Sequence, residues 1–467
     1  MTTLLYKSGV RTASLILGGS TAGVLFSISA QAAEITDVGL TKDGIIESPA
    51  NHVIYDNPSQ GVRLNGGFSL MGFAAGTHNI NYGSRTGNSH KSPAWWEATA
   101  APSMTAEYDL PDNAGTLFGG VTAFYTMTRG NGDGDPAGST PDHPEHFRLD
   151  NAYLGWRSGD LFADSLGENA FTFSFGRQSF QFGDGFLIGD GFTEQGKYGG
   201  YYIGPSHGFH SSAVLSFDSH GWHADLFHLK ASEYNLLQGN YGEYQNTSLN
   251  GLNVDYTLND RAQFGAAYVH AYNSWDRSRN GMDVYNVRAK GIPFEALPGF
   301  SLGGQYAWED RDHGGNGHAW YGQASYAFQD TPWHPVISYR RAEYGENYDS
   351  MYNSFAGGWG SWYYGEIAGE YHISNNNMNI DMLKVAVQPA DFVETGLIGY
   401  SFRRNKSTGS GSKNFSKEVN LYADWTLSDH FTLSTVYGIA FPDDAAKAEY
   451  GRKKNSQIAQ VFATYAF

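Results

Sequence analysis

The chain has 467 residues, no cysteine, and 30 basic against 47 acidic side chains, for a formal charge of −17. The lack of cysteine excludes disulfides, iron–sulfur clusters and thiolate zinc sites, and the acidic balance argues against nucleic acid, whose phosphates need a basic surface. Aromatic residues make up 15% of the chain, glycine accounts for 59 positions and charged residues only 16%, where soluble domains average roughly 25% charged; this is not the composition of a cytoplasmic enzyme.

In chain order, the first expected element is an export signal over residues 1–32. Lys7 and Arg11 form a short basic region, Ala13 to Ser29 is small and apolar, and Ala30-Gln31-Ala32 is a small-x-small cleavage site. Gly18, Gly19, Ser20 and Gly23 interrupt the apolar stretch, which speaks against a membrane anchor. Residues 33–60 alternate little and are read as either a periplasmic lead-in or a short plug.

From residue 61 to 467 one theme repeats: runs of about ten residues alternate apolar and polar, as a two-faced strand does. In the first clear example Leu117, Val121, Ala123, Tyr125 and Met127 share one face, against Thr122, Phe124, Thr126 and Thr128. Ile398, Tyr400 and Phe402 oppose Gly399 and Ser401, and Ala459, Val461, Ala463, Tyr465 and Phe467 oppose Gln460, Phe462 and Thr464. A Phe closing an alternating strand resembles the C-terminal signature of bacterial outer-membrane barrels.

Connections are of two kinds. Short turns are expected near Pro111–Asn113, Asp160–Glu168, Asp218–Gly221, Asn259–Arg261, Ile292–Gly299, Asp330–His334, Pro389–Phe392 and Ser428–Asp429. Long polar loops are expected near 74–101, 129–145, 183–207, 231–247, 273–282, 310–317, 344–376, 404–415 and 442–455. Eight short and nine long connections join eighteen strands, and alternating short and long connections are the pattern of a transmembrane antiparallel β-barrel with periplasmic turns and extracellular loops. The fold class expected is therefore all-β, in the outer membrane of a Gram-negative bacterium. A soluble β-sandwich or propeller would also alternate. Against it, Trp156, Trp222, Trp308, Trp320, Trp425 and Tyr465 recur near strand ends as an interface girdle does, and the opposite strand faces read as small and polar, suited to a wet lumen.

Three stretches resemble the alginate-export family of outer-membrane channels. They are Phe175-Gly-Arg-Gln-Ser-Phe-Gln-Phe-Gly-Asp-Gly-Phe-Leu-Ile-Gly-Asp190; Tyr306-Ala-Trp with Ala319-Trp-Tyr-Gly-Gln-Ala-Ser-Tyr-Ala-Phe, Trp333-His-Pro and Glu343-Tyr-Gly-Glu; and Tyr352 to Tyr364 with Asn379 to Pro389. The resemblance implies an eighteen-stranded monomer passing a polysaccharide or oligosaccharide. An alginate channel would need a cationic lumen, and here acids outnumber bases. A porin for another small or hydrophobic solute is the alternative, with a barrel enzyme or adhesin third.

Parity nominates the pore-lining residues. With Phe147, Leu149 and Tyr153 outward, Arg148 and Asp150 face in. With Tyr285, Val287 and Ala289 outward, Arg288 faces in; Arg340 opposes Ile337 and Tyr339; Lys384 opposes Leu383 and Val385; and Arg403 follows Gly399 and Ser401 into the lumen. Arg177 shares the parity of Phe173 and Phe175, so a bulge at Gly176 is expected to turn it inward. In the long loops, Asp184, Asp190 and Glu194 with Tyr198 and Tyr201–Tyr202, and Tyr352, Trp359, Trp362, Tyr363 and Tyr364, are candidates for constriction and sugar stacking. No cofactor, metal or catalytic residue is assigned. There is no G-x-S-x-G or H-E-x-x-H, and the calcium-like run Asn131, Asp133, Asp135 and Asp142 has Pro136 where such a loop needs Gly. His207, His210, His220, His223 and His228 are read as turn and surface residues.

Overall fold

The computed structural model describes residues 44–46, 51–85, 90–131, 143–193, 199–200, 202–203, 207–234, 244–259, 261–355, 364–409 and 411–467. The expected signal peptide, Asp133, Asp135, Pro136 and Asp142 of the acidic loop, and Glu194, Tyr198, Tyr201, Trp359, Trp362 and Tyr363 lie outside these residues.

Alternation sorts the chain into strands. The described residues form β1 (Gly44–Ile46), β2 (His52–Asn57), β3 (Val62–His78), β4 (Ala94–Asp109), β5 (Thr116–Asn131), β6 (Glu145–Arg157), β7 (Phe171–Gln181), β8 (Phe192–Thr193), β9 (Phe209–Ser219), β10 (Trp222–Tyr234) and β11 (Tyr244–Leu258). There follow β12 (Ala262–Tyr272), β13 (Met282–Gly291), β14 (Phe300–Asp310), β15 (Gly317–Ala327), β16 (Val336–Tyr344), β17 (Met378–Ala390), β18 (Val393–Arg404), β19 (Asn414–Ser428), β20 (Phe431–Pro442) and β21 (Ser456–Ala466). Eighteen of them, β3–β7 and β9–β21, pair antiparallel in sequence order, and β21 returns to β3 to close the barrel. At the seam Phe68 and Phe467 exchange two backbone hydrogen bonds, of 2.9 and 3.1 Å. The eight short and nine long connections fall where the turn chemistry puts them, so one rim carries turns and the other carries loops.

The pleat explains which residues face out. Leu117, Val121 and Tyr125 of β5 are exposed, while Thr122, Phe124 and Thr126 are buried. Leu226, Leu252, Phe264, Tyr285, Val287, Leu302, Ile337, Leu383, Leu397 and Leu421 continue the outward apolar band around the wall. In water such a band would be an aggregation surface; against lipid it is the solvent-facing side.

Two irregularities interrupt the pleat, and the first resets the parity. The β5–β6 register shifts at Thr122/Ala123, leaving Asp150 as the extra residue between Leu149 and Asn151. Tyr153, expected outward, therefore faces in, 4% exposed, and Leu154 takes the outward place. The second lies at Gly176, whose φ is 132°. A Cβ there would sit 2.4 Å from the Ala152 carbonyl oxygen, so only glycine fits. β7 follows β6 only from Thr172 to Arg177 and then leaves the wall; its last residues, Ser179–Gln181, pair with β1. On the turn rim β2 pairs with the start of β3.

The interior is divided. Towards the turn rim it is polar. Towards the loop rim it holds a hydrophobic core, correcting the expectation of a small, polar inner face throughout. Phe227, Leu229, Val269, Val284, Tyr344, Ile380 and Phe402 point inward from the wall and pack on Phe186, Leu187, Ile188, Phe355, Tyr364 and Ile367 of the two longest loops. The described residues of those loops lie inside the barrel and meet at one parallel bridge, between Ile188 and Tyr352. The Gly189 and Asp190 amides donate to the Tyr352 carbonyl at 2.8 and 2.9 Å, and Ser354 N donates to Gly185 O at 2.9 Å.

Candidate functional site in the lumen

A loop buried inside a barrel needs partners for its backbone, and here wall carboxylates supply many of them. Glu97 of β4 accepts from the amides of Tyr202 and Ile203, at 2.9 Å each. Asp150 accepts from His207 and Gly208 at 3.1 and 3.2 Å. Glu309 accepts from Asp349 N at 3.0 Å, and Glu418 from Ile367 and Ala368 at 3.0 and 2.7 Å. All four acids sit at the loop-rim end of a strand. Only Asp150 is found by parity. Glu97, Glu309 and Glu418 were missed, although an acid among inward apolar residues next to a long loop is a readable signal.

Within the infolded loop 345–377, burial raises two further acids. The Glu366 carboxyl, beside Glu370 and hydrogen bonded by the Tyr202 hydroxyl at 2.9 Å, lies well above the usual range. That of Glu370 is pushed up to about 8, by burial first and then by Glu97. Burial holds His372 in the same loop at about 4, where its Nε2 meets the Ile80 carbonyl oxygen at 2.8 Å.

Below the loops the wall is polar, and β-register aligns its residues in rows. Arg288 of β13 stands opposite Gly265 on one side and Gln305 on the other, and Gln305 stands opposite Tyr321. One step towards the turn rim, Gln263, Lys290, Gly303, Gln323 and Arg340 form a second row. Over these rows hangs the start of the loop after β7. Asp184 accepts a hydrogen bond from the Tyr321 hydroxyl. Between loop and wall lies a small opening lined by Gly183, Asp184, Gln263, Arg288, Lys290, Gln305 and Tyr321.

Two cations of this wall are paired with acids, and a third meets an amide and aromatic rings. Arg288 is ion-paired with Asp255 and donates to Asn286 Oδ1 at 3.2 Å, with its guanidinium 5.3 Å from the Phe182 ring centre. Arg340 is fully buried, donates to Gln323 Oε1 at 2.8 Å and lies over the Phe355 ring at 4.9 Å. Lys384 faces Glu394 at 3.8 Å and the Tyr422 ring at 5.8 Å.

The remaining nominated residues are elsewhere. Arg148 is half-buried opposite inward Phe124. Arg177 is not turned inward. Ser174, Gln178 and Phe180 are the buried parity of β7, so Arg177 keeps the outward parity of Phe175 and donates from Nε to the Asp150 carbonyl at 2.6 Å, filling the split between β6 and β7. Arg403 is likewise corrected: it is exposed on the outer face with Leu397. In β18 Ile398, Tyr400 and Phe402 face the loop-filled core while Gly399 and Ser401 lie on the outer face, the reverse of a wet lumen. His223 is no plain surface residue; it bridges Asp218 and Asp225 at 2.7 and 2.8 Å.

A closed eighteen-stranded barrel with turns on one rim and infolded loops at the other has the fold of outer-membrane porins. Among solved structures it is similar to OpdK of Pseudomonas aeruginosa, with a TM-score of 0.56 and 10% identity over 86% of this chain and 98% of that one. It is also similar to OccAB4 of Acinetobacter baumannii (TM-score 0.54, 11% identity, 88% of this chain and 100% of that one) and to a BenF-like porin of Pseudomonas fluorescens Pf-5 (0.54, 11%, 86% and 98%). No protein-family model matches the chain, and no curated protein matches its sequence.

Proposed function

We propose that this chain is a monomeric porin-type channel of the outer membrane, exported by the segment ending at Ala32, with its turns in the periplasm and its loops outside. Its cargo is a small polar solute rather than a polymer. The observation that carries this reading is the filled lumen: residues of two loops pack inside the loop-rim half of the barrel, and beneath them a small opening lies between Asp184 and the Arg288–Gln305–Tyr321 row. A polyanion such as alginate would need an open bore and a run of unmatched cations. The pairing of Arg288 with Asp255 and of Lys384 with Glu394 supports the small-solute alternative over alginate export. Rings of opposed charge are a general means of tuning a pore.

The test is planar-bilayer recording with liposome swelling on the refolded chain. The expected result is a small conductance, swelling with monosaccharide-sized solutes, and no block by alginate. A large conductance blocked by alginate, or a bilayer left electrically silent, would overturn the reading.

A further inference from the structure

The opening beneath Asp184 has an unused chemistry. Gln305 points into it from β14, 4% exposed, and neither end of its amide has a hydrogen-bond partner in the protein. Burying an unpaired amide is costly, so a residue of this kind in a lined opening marks a place where a ligand completes the bonding. Asp184 spends one carboxylate oxygen on Tyr321, and its other oxygen, Oδ1, is buried without a protein partner. Gly303, inward on the same strand as Gln305, leaves the floor open: a Cβ there would meet only the Lys290 Cβ, at 3.5 Å.

The demand of these atoms defines the ligand. Gln305 offers a donor and an acceptor side by side, Asp184 Oδ1 needs a donor, and Gln263 adds a second amide to the lining. A carboxylate brings acceptors only. It would leave Gln305 Oε1 and Asp184 Oδ1 unsatisfied and set like charge against Asp184. A hydroxyl both donates and accepts, and adjacent hydroxyls match an amide edge. Arg288, the arginine lining the opening, is already ion-paired with Asp255 within the protein.

We propose that this opening is a binding site for a neutral polyhydroxylated solute, whose hydroxyls are held by Gln305 and Asp184 with Gln263 of β12. The inference gives the solute class for the channel proposed above and rests on that reading only for the site's place on a permeation path.

The experiment is saturation-transfer NMR on the refolded, detergent-solubilised chain, with D-glucose and D-glucuronate as probes, comparing wild type with Gln305→Leu and Gly303→Val. Leu replaces an amide that holds nothing in the protein, so the barrel is expected to fold, as checked by its heat-modifiable mobility on gels. The expected results are binding of glucose in preference to glucuronate, and an affinity for glucose about tenfold lower in Gln305→Leu, as loss of a hydrogen-bonding pair implies. Gly303→Val is expected to weaken glucose by filling the floor. Glucose affinity unchanged within twofold in Gln305→Leu, or glucuronate bound more tightly than glucose, would overturn the proposal. A bilayer that stays silent while Gln305-dependent glucose binding persists would remove the channel reading and leave this site standing.

Discussion

Arg279 holds the two infolded loops against the wall, and its replacement by alanine is expected to release them. It belongs to the loop between β12 and β13, is 7% exposed, and donates from Nε and Nη2 to both oxygens of Asp349 at 2.8 Å each. Its Nη1 meets the Tyr352 hydroxyl at 3.0 Å, with the guanidinium 5.0 Å from the Tyr352 ring centre. Tyr352 in turn carries the bridge to Ile188. Burial alone would raise the Asp349 carboxyl, but Arg279 first and Arg311 second hold it below its ordinary range. Breaking a buried pair by removing one partner costs about 3–5 kcal/mol. Because Arg311 stays near Asp349, the lower end applies, about 3 kcal/mol, or some two orders of magnitude in the equilibrium between docked and released loops. Chymotrypsin cleavage at Tyr348, Tyr352 and Phe355 in the folded protein should accelerate accordingly, and bilayer conductance should rise. Arg279→Ala/Asp349→Ala together should be less damaging than Arg279→Ala alone, since no charge is left stranded. Cleavage and conductance both within twofold of wild type in Arg279→Ala would refute the keystone role.

Three further expectations follow from the loop packing and the wall. Glu370 carries a proton in the folded loop up to about pH 8, whereas the unfolded chain loses it near 4.5, so the folded state binds more protons across that window and loop docking weakens as pH rises through it. Conductance and chymotrypsin sensitivity should therefore climb between pH 4.5 and about 8, and Glu370→Gln should make the profile shallower; an unaltered pH response in that variant would contradict the assignment. Gly176→Val should lower folding yield by more than about 3 kcal/mol of strain and clash, read as lost heat-modifiability. Gly72→Ala, where a Cβ meets nothing within 4 Å, should be neutral.

The wall was legible because its rules are local. Turn residues at Ser428–Asp429 or Asn259–Arg261 and strict period two between them determine strand number and, for most strands, which face is out. Arg288, Arg340 and Lys384 were placed on the inner face by parity alone, and they lie there. Tyr153 was misread because a single extra residue at Asp150 inverts everything after it, and no composition marks that residue. Arg403 was misread because inward was equated with small and polar. That rule fails where a distant loop supplies an apolar filling, and the destination of a loop is a long-range fact. For the same reason the excess of acid could not be turned into a lumen charge: Glu97, Asp150, Glu309 and Glu418 are occupied with backbone amides. Gln305 was invisible, since its distinction is the lack of a protein partner.

The seam between Phe68 and Phe467 bears on how the molecule is made. The first and last wall strands are neighbours, so the sheet has two open edges until the final residues arrive, and each edge is a template for wrong pairing. Pairing across nearly the whole sequence is the slowest kind to form. A chain of this design has to be kept apart from its fellows while it is synthesised and exported, and it gains its protected form in one late step, when its end finds its beginning.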